Sequence, residues 1–232
     1  MKFARMVHVG ATVLLVHALS ACEREPAPQA ETDTPAQAVD EPAIAADAPL
    51  IVAFGDSLFA GYQLAQDEGF APALERELAQ EGTPARVFNA SVSGDTSQGG
   101  LGRLAFTLDG LPRQPDLVIV ELGANDMLRG QPPARTRENL AAILTELDRR
   151  GIDAMLAGMV AAPNLGMDYG DQFNAIYPDL AEQFGVQLYP FVLDGVITRP
   201  ELMLDDGLHP APEGVTIMAD RIAPLVQNAI AD

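Results

Sequence analysis

Five short apolar runs punctuate the chain: "LIVAF" (50–54), "ARVFNA" (85–90), "DLVIVELG" (116–123), "DAMLAGMV" (153–160) and "VQLYPF" (186–191). Each is too short for a buried helix and lacks the polar alternation of a half-exposed strand, so each reads as a strand covered on both faces. Amphipathic segments separate them. The clearest is 134–150, where Leu140, Ile143, Leu144 and Leu147 recur at helical spacing and Gly151 supplies a stop. Further helices are predicted near 68–80, 97–108, 171–184 and 212–229. Strands that alternate with helices pair in parallel, and right-handed crossovers then put helices on both faces of one sheet. Ligands of such a sheet bind beyond the carboxyl ends of its strands, so the chemistry is expected there.

The 232 residues are not uniform. The first 21 have a basic start (Lys2, Arg5), an apolar middle and a small-residue end, the layout of a secretory signal rather than of a membrane span. Leu19-Ser20-Ala21-Cys22 resembles the bacterial lipobox, which predicts cleavage before Cys22 and a lipid on its thiol. Cys22 is the one cysteine, so an internal disulfide is excluded; a free thiol or an intermolecular bridge are the alternatives. Residues 22–48 are dense in Pro, Ala and acid and cannot bury a core, so they are expected to form a disordered tether. A single domain is predicted over 49–232.

The formal charge is −19, and loss of Lys2 and Arg5 with a leader that holds no acid makes it −21. Such acidity disfavours nucleic acid or anionic headgroups as charge-attracted partners. Beyond Lys2 there is no lysine, which excludes a phosphate-loop lysine, a Schiff base and a Ser-Lys dyad. Beyond residue 22 there is one histidine and no cysteine, too few soft ligands for a zinc cluster, and no loop has calcium spacing. No metal and no cofactor is expected.

The first strand runs into Gly55-Asp56-Ser57-Leu58, the second into "NASVSGD" (89–95), and the third into Gly123-Ala124-Asn125-Asp126. Near the C-terminus comes Asp205-Asp206-Gly207-Leu208-His209-Pro210. These four blocks, in this order at successive strand ends, resemble the SGNH/GDSL hydrolase superfamily from about Leu50 onward. The resemblance implies a three-layer α/β/α sandwich on a five-stranded, mostly parallel, flavodoxin-like sheet. It also implies a serine esterase working through an acyl-enzyme.

A serine hydroxyl is hardly ionised at neutral pH and needs a base within hydrogen-bond reach. His8 and His17 leave with the leader, so His209 is the remaining imidazole. The resemblance assigns Ser57 as nucleophile, His209 as base and Asp206 as the carboxylate that orients it, through the family's Asp-x-x-His spacing; Asp205 is the rival. It further implies an oxyanion hole from the backbone N–H groups of Ser57 and Gly94 and the side-chain amide of Asn125. Without it, Gly94 reads as a turn former and Asn125 as a helix cap or Asx turn. Asp56 and Asp126 read as acceptors for loop N–H groups.

Longer stretches, "SGDTSQGGLGRL", "VELGANDMLRG" and "LMLDDGLHP", are similar to the bacterial arylesterase, acyl-thioesterase and lysophospholipase subgroup. That implies hydrolysis of aryl and short-to-medium acyl esters, thioesters or lysophospholipids by a monomer exported to the cell envelope, with Glu23 after Cys22 pointing to the outer membrane. The segment 161–170 stands where the family's acyl-chain wall lies, so Pro163, Leu165 and Met167 are candidate wall residues, against the alternative of an ordinary surface loop. A carbohydrate acetylesterase is a rival function, disfavoured by four Tyr and no Trp. A non-catalytic acyl-binding lipoprotein is a second, disfavoured by a complete set of nucleophile, base and donors.

Overall fold

The computed structural model describes residue 45 and residues 47–231. The leader, Cys22 and all of the tether but residues 45, 47 and 48 lie outside the described residues. Five strands, β1 (Leu50–Gly55), β2 (Arg86–Asn89), β3 (Leu117–Glu121), β4 (Asp153–Ala157) and β5 (Gln187–Tyr189), form one sheet in the order β2-β1-β3-β4-β5. All four pairings are parallel. The prediction of a mostly parallel sheet is therefore exceeded. Every residue of β1 and β3 is buried, as strands covered on both faces must be.

Eight helices surround the sheet among the described residues: α1 (Ser57–Ala60), α2 (Phe70–Gln80), α3 (Ser97–Asp109), α4 (Ala124–Leu128), α5 (Pro133–Arg149), α6 (Met167–Asn174), α7 (Ile176–Phe184) and α8 (Pro212–Ala231). They pack in two sets, α2 against α8 and α5 against both α3 and α7. Leu140, Ile143, Leu144 and Leu147, the stripe read from the sequence, are all buried on α5.

The helix expected over 171–184 is two helices. Pro178 has no N–H to donate to the carbonyl of Asn174, and its ring crowds that carbonyl, so the ladder breaks at Ala175 and α7 starts afresh with Pro178 in its first turn. The short α1 and α4, absent from the sequence reading, begin directly beyond β1 and β3. They are too brief to show periodicity.

β1 and β3 lie side by side, but the chain leaves β1 for β2 on one flank and reaches β3 on the other. Their carboxyl ends thus frame the switch point where open α/β sheets bind ligands. Residues after both strands converge there. Helix α1 is pinned to α2 by Phe59 stacked on Phe70, with ring centroids 3.8 Å apart and planes within 5°. Both rings are fully buried. Phe70→Ala is expected to lower the unfolding free energy by about 3 to 5 kcal/mol in urea titrations, and an effect under about 1 kcal/mol would contradict this packing role.

Candidate active site

Ser57 opens α1 immediately after β1. Asp56, the N-cap, accepts the Leu58 N–H on its side chain at 3.1 Å, and the backbone turns sharply at φ −106°, ψ −141°. The strand therefore ends in a capped turn that lifts the serine to the sheet's rim. The loop 203–210 meets it there. Met203 pairs with Pro210 in an antiparallel bridge, and Leu204 N–H donates to His209 O at 2.8 Å. Gly207 takes the left-handed φ of 66° that this tight turn needs.

One oxygen of Asp206, Oδ1, accepts the backbone N–H groups of Leu208 and His209 at 2.9 and 3.0 Å. The other, Oδ2, lies 2.6 Å from His209 Nδ1. On the far side of the ring, Nε2 lies 2.9 Å from Ser57 Oγ, across 152 positions of chain. The bond to His209, with the two N–H groups, holds the Asp206 carboxyl down at about 2. Asp206 is thus an anion at any neutral pH, and its acceptance at Nδ1 leaves Nε2 free to take a proton from the hydroxyl. Asp205 takes no part in this chain of bonds.

The Tyr62 ring covers the imidazole, 4.3 Å between centroids at 35°, and its backbone N–H donates to Ser57 O. Sequence reasoning missed it, because a tyrosine in a turn carries no motif signal. Arg103 was missed as well. From α3 its guanidinium donates to Gly55 O (3.1 Å), to Ala90 O (2.5 Å) and to Asp95 Oδ2 (2.6 Å), over the Phe54 ring. One side chain thereby ties the ends of β1 and β2 to the loop that contains Gly94. A lysine could not reach all three directions from its single ammonium.

Asn125 sits in α4, and its Nδ2 donates to Asp56 Oδ2 at 3.0 Å, so one amide N–H is spoken for and the other is left for the cavity that Asn125 lines. Gly94, at φ 85°, follows β2; its carbonyl accepts from Arg129, the residue that caps α4. It is not among the residues lining the cavity. Asp126 accepts from Ser97 N–H and Oγ at 2.7 and 2.5 Å and acts as a structural acceptor, in line with its reading.

A cavity of about 490 Å³ opens beside Ser57, Asn125 and His209. Its wall is apolar: Leu128, Val160, Phe191, Leu193, Ile197 and Leu208. Of the three wall residues read from the sequence, only Pro163 lines it. Leu165 and Met167 do not: Leu165 packs on the core behind, and Met167 is 82% exposed at the start of α6. The 3-10 turn Pro163–Leu165 swings the chain away after its first residue. The rest of the wall comes from segments after β3, β4 and β5 and from the histidine loop. Its one visible sequence signal is large apolar residues outside the predicted elements, such as Leu193 and Ile197. Among the described residues no three His, Cys, Asp or Glu side chains cluster as metal ligands would.

Residues 53–217 match the profile of the GDSL-like Lipase/Acylhydrolase family. An arylesterase of Vibrio mimicus is 44% identical over 172 residues, covering 74% of this chain and 85% of its own. The Escherichia coli K12 protein named thioesterase 1/protease 1/lysophospholipase L1 is 42% identical over 176 residues, covering 76% and 82%. Among solved structures, AlinE4, a SGNH-hydrolase family esterase, matches with a TM-score of 0.68 at 48% identity, over 79% of this chain and 97% of that one. With the parallel sheet, three of the four blocks at the ends of β1, β2 and β3 and the fourth in the loop before α8, not at the strand end expected from the sequence, the chain belongs to the GDSL-like lipase and acylhydrolase family.

Proposed function

We propose that the protein is a carboxylic ester hydrolase in which Ser57 is the nucleophile, His209 the general base and acid, and Asp206 the group that orients and charge-balances His209. The observation that carries this reading is the 2.9 Å contact between Ser57 Oγ and His209 Nε2, backed by Asp206 on the opposite nitrogen. As Oγ bonds the substrate's carbonyl carbon, its proton passes to Nε2 and the C=O electron pair moves onto oxygen. Collapse of that adduct breaks the bond to the leaving group, which takes the proton from the imidazolium. Water, deprotonated by the same nitrogen, then attacks the acyl-serine, and collapse of that second adduct breaks the bond to Oγ, which takes the proton back from the imidazolium as the acid leaves. The oxyanion formed in each half is met by the second N–H of Asn125 and the backbone N–H of Ser57, both of which line the cavity; for the N–H of Gly94, which does not line it, the family's block alone supports the same role.

The apolar wall suits an acyl chain or aryl group better than a sugar, since a sugar needs polar groups around it. Aryl esters, short-to-medium acyl esters, acyl thioesters and lysophospholipids share that chemistry. Turnover of p-nitrophenyl esters from acetate to palmitate, phenyl acetate, an acyl-CoA and lysophosphatidylcholine would rank them. Support for export comes from the sequence of residues 1–22, read as a leader ending at a lipidated Cys22 with the tether 22–48 behind it. On that reading the enzyme works as a monomer at the cell envelope, on the outer membrane. Radiolabelled palmitate should enter the wild type and not Cys22→Ala; equal labelling would refute the anchor.

Ser57→Ala is expected to lower kcat for p-nitrophenyl acetate by about a thousandfold or more; equal turnover by both proteins would refute the assignment. Asn125→Ala should lower kcat by about a hundredfold with a smaller change in KM, because its donor acts on charge that develops only in the transition state. An effect confined to KM would count against the oxyanion role. kcat/KM should rise with pH from the acidic into the neutral range, because only an unprotonated imidazole can take the hydroxyl proton. Asp206, held at about 2, is ionised across that whole range and adds nothing to the slope. A flat profile for a slow substrate would contradict a histidine base.

A further inference from the structure

Glu121, the last residue of β3, is 1% exposed and has no part in the proton transfers above. It faces Asp56, which is wholly buried. Its Oε2 accepts the Asp56 backbone N–H at 3.2 Å, which sets the two buried carboxyl groups beside each other. Two carboxyl groups in contact in a dry interior cannot both ionise, so they share one proton.

The surroundings decide who keeps it. Burial leaves the Asp56 carboxyl above its ordinary range, although the Leu58 N–H, the Asn125 amide, the Glu121 carboxyl and the His209 charge all favour its anion. Burial first, and the Asp56 charge second, push Glu121 well above the carboxylate range, with one backbone N–H opposing. The proton therefore rests on Glu121.

Strand register shows that the fold makes room for this contact. Gly55 pairs with Glu121 across β1 and β3, and a Cβ on Gly55 would stand 2.6 Å from Glu121 Oε2 and 2.7 Å from its carbonyl oxygen. The glycine before the nucleophile turn is bare where the Glu121 carboxyl passes.

We propose that Glu121 is a positioning residue for the oxyanion donor: its carboxyl O–H donates to Asp56, and Asp56 in turn holds the Asn125 amide with nitrogen, not oxygen, toward the cavity. An amide turned the other way would aim a lone pair at the developing oxyanion. Asp56, as an anion, accepts only from the N–H side and so selects the productive orientation. Glu121 fixes the Asp56 carboxyl from behind and keeps the pair at a single negative charge beside a site that must itself accommodate one.

The inference rests on the esterase reading, because its readout is turnover, so Ser57→Ala is measured alongside. Glu121→Gln keeps an N–H that can donate to Asp56, and its kcat should stay within about threefold of wild type. Glu121→Met fills similar space without a donor, and its kcat should fall roughly ten- to hundredfold with KM moved less. In an Asn125→Ala background the same Met substitution should cost nothing more, since the group it positions is gone. Glu121→Gln as damaging as Met, or a Met penalty undiminished in Asn125→Ala, would overturn the proposal. Should Glu121→Met fail to fold, infrared spectra at neutral pH decide: a buried protonated-carboxyl band present in the wild type and lost in Glu121→Gln supports it, and its absence from the wild type overturns it. Turnover surviving Ser57→Ala would instead sink the esterase reading itself.

Discussion

Two neighbouring parallel strands end level with each other, and the active site follows from that geometry. β1 and β3 pair through Gly55 and Glu121, after which both chains must leave the sheet. Each leaves into a short helix, one headed by Ser57 and the other bearing Asn125 in its first turn. Asp56 joins the two departures, capping α1 with one oxygen and taking the Asn125 amide with the other. Ser57 and Asn125 are therefore held on short helices joined through one carboxylate, which is the preorganisation that the proposed roles of nucleophile and oxyanion donor require.

The base arrives from the other end of the domain, and its placement depends on a second rigid device. The 203–210 loop is closed by an antiparallel bridge and by a carboxylate that binds two of its N–H groups. The same Asp206 lies against the imidazole Nδ1, so one carboxylate both closes the loop and faces the ring. Tyr62 shields the ring from above. Two aspartates thus do parallel tasks: Asp56 caps a helix with one oxygen and orients a donor with the other, and Asp206 closes a turn and orients a base.

Much of this was legible in the sequence because it depends on local periodicity and on short motifs. The five apolar runs mark the strands to within a few residues, and the four short blocks contain Ser57, Asn125, Asp206 and His209, which the fold brings to one rim even though the fourth block lies in a loop and not at a strand end. What was not legible depends on tertiary neighbours. Glu121 sits inside the apolar run "DLVIVELG" and reads as a strand terminus; only the register against Gly55 reveals that it touches Asp56. Arg103 lies in a glycine-rich stretch with no sign of the three oxygens it binds. The cavity wall is drawn from several loops at once, so assigning it to 161–170 kept Pro163 and lost Leu165 and Met167. The split at Pro178 was visible in principle, since a proline four residues after Asn174 must interrupt the ladder there.

If Ser57 is the nucleophile, its hydroxyl alone should capture a carbonyl or phosphoryl electrophile. Incubation with a p-nitrophenyl alkylphosphonate followed by intact-mass and peptide mass spectrometry tests this directly. One phosphonyl group per chain, on the peptide containing Ser57 and absent when His209 is replaced by alanine, is the expected result. A chain that releases no nitrophenolate and gains no mass, or that carries the group on another residue, would contradict it.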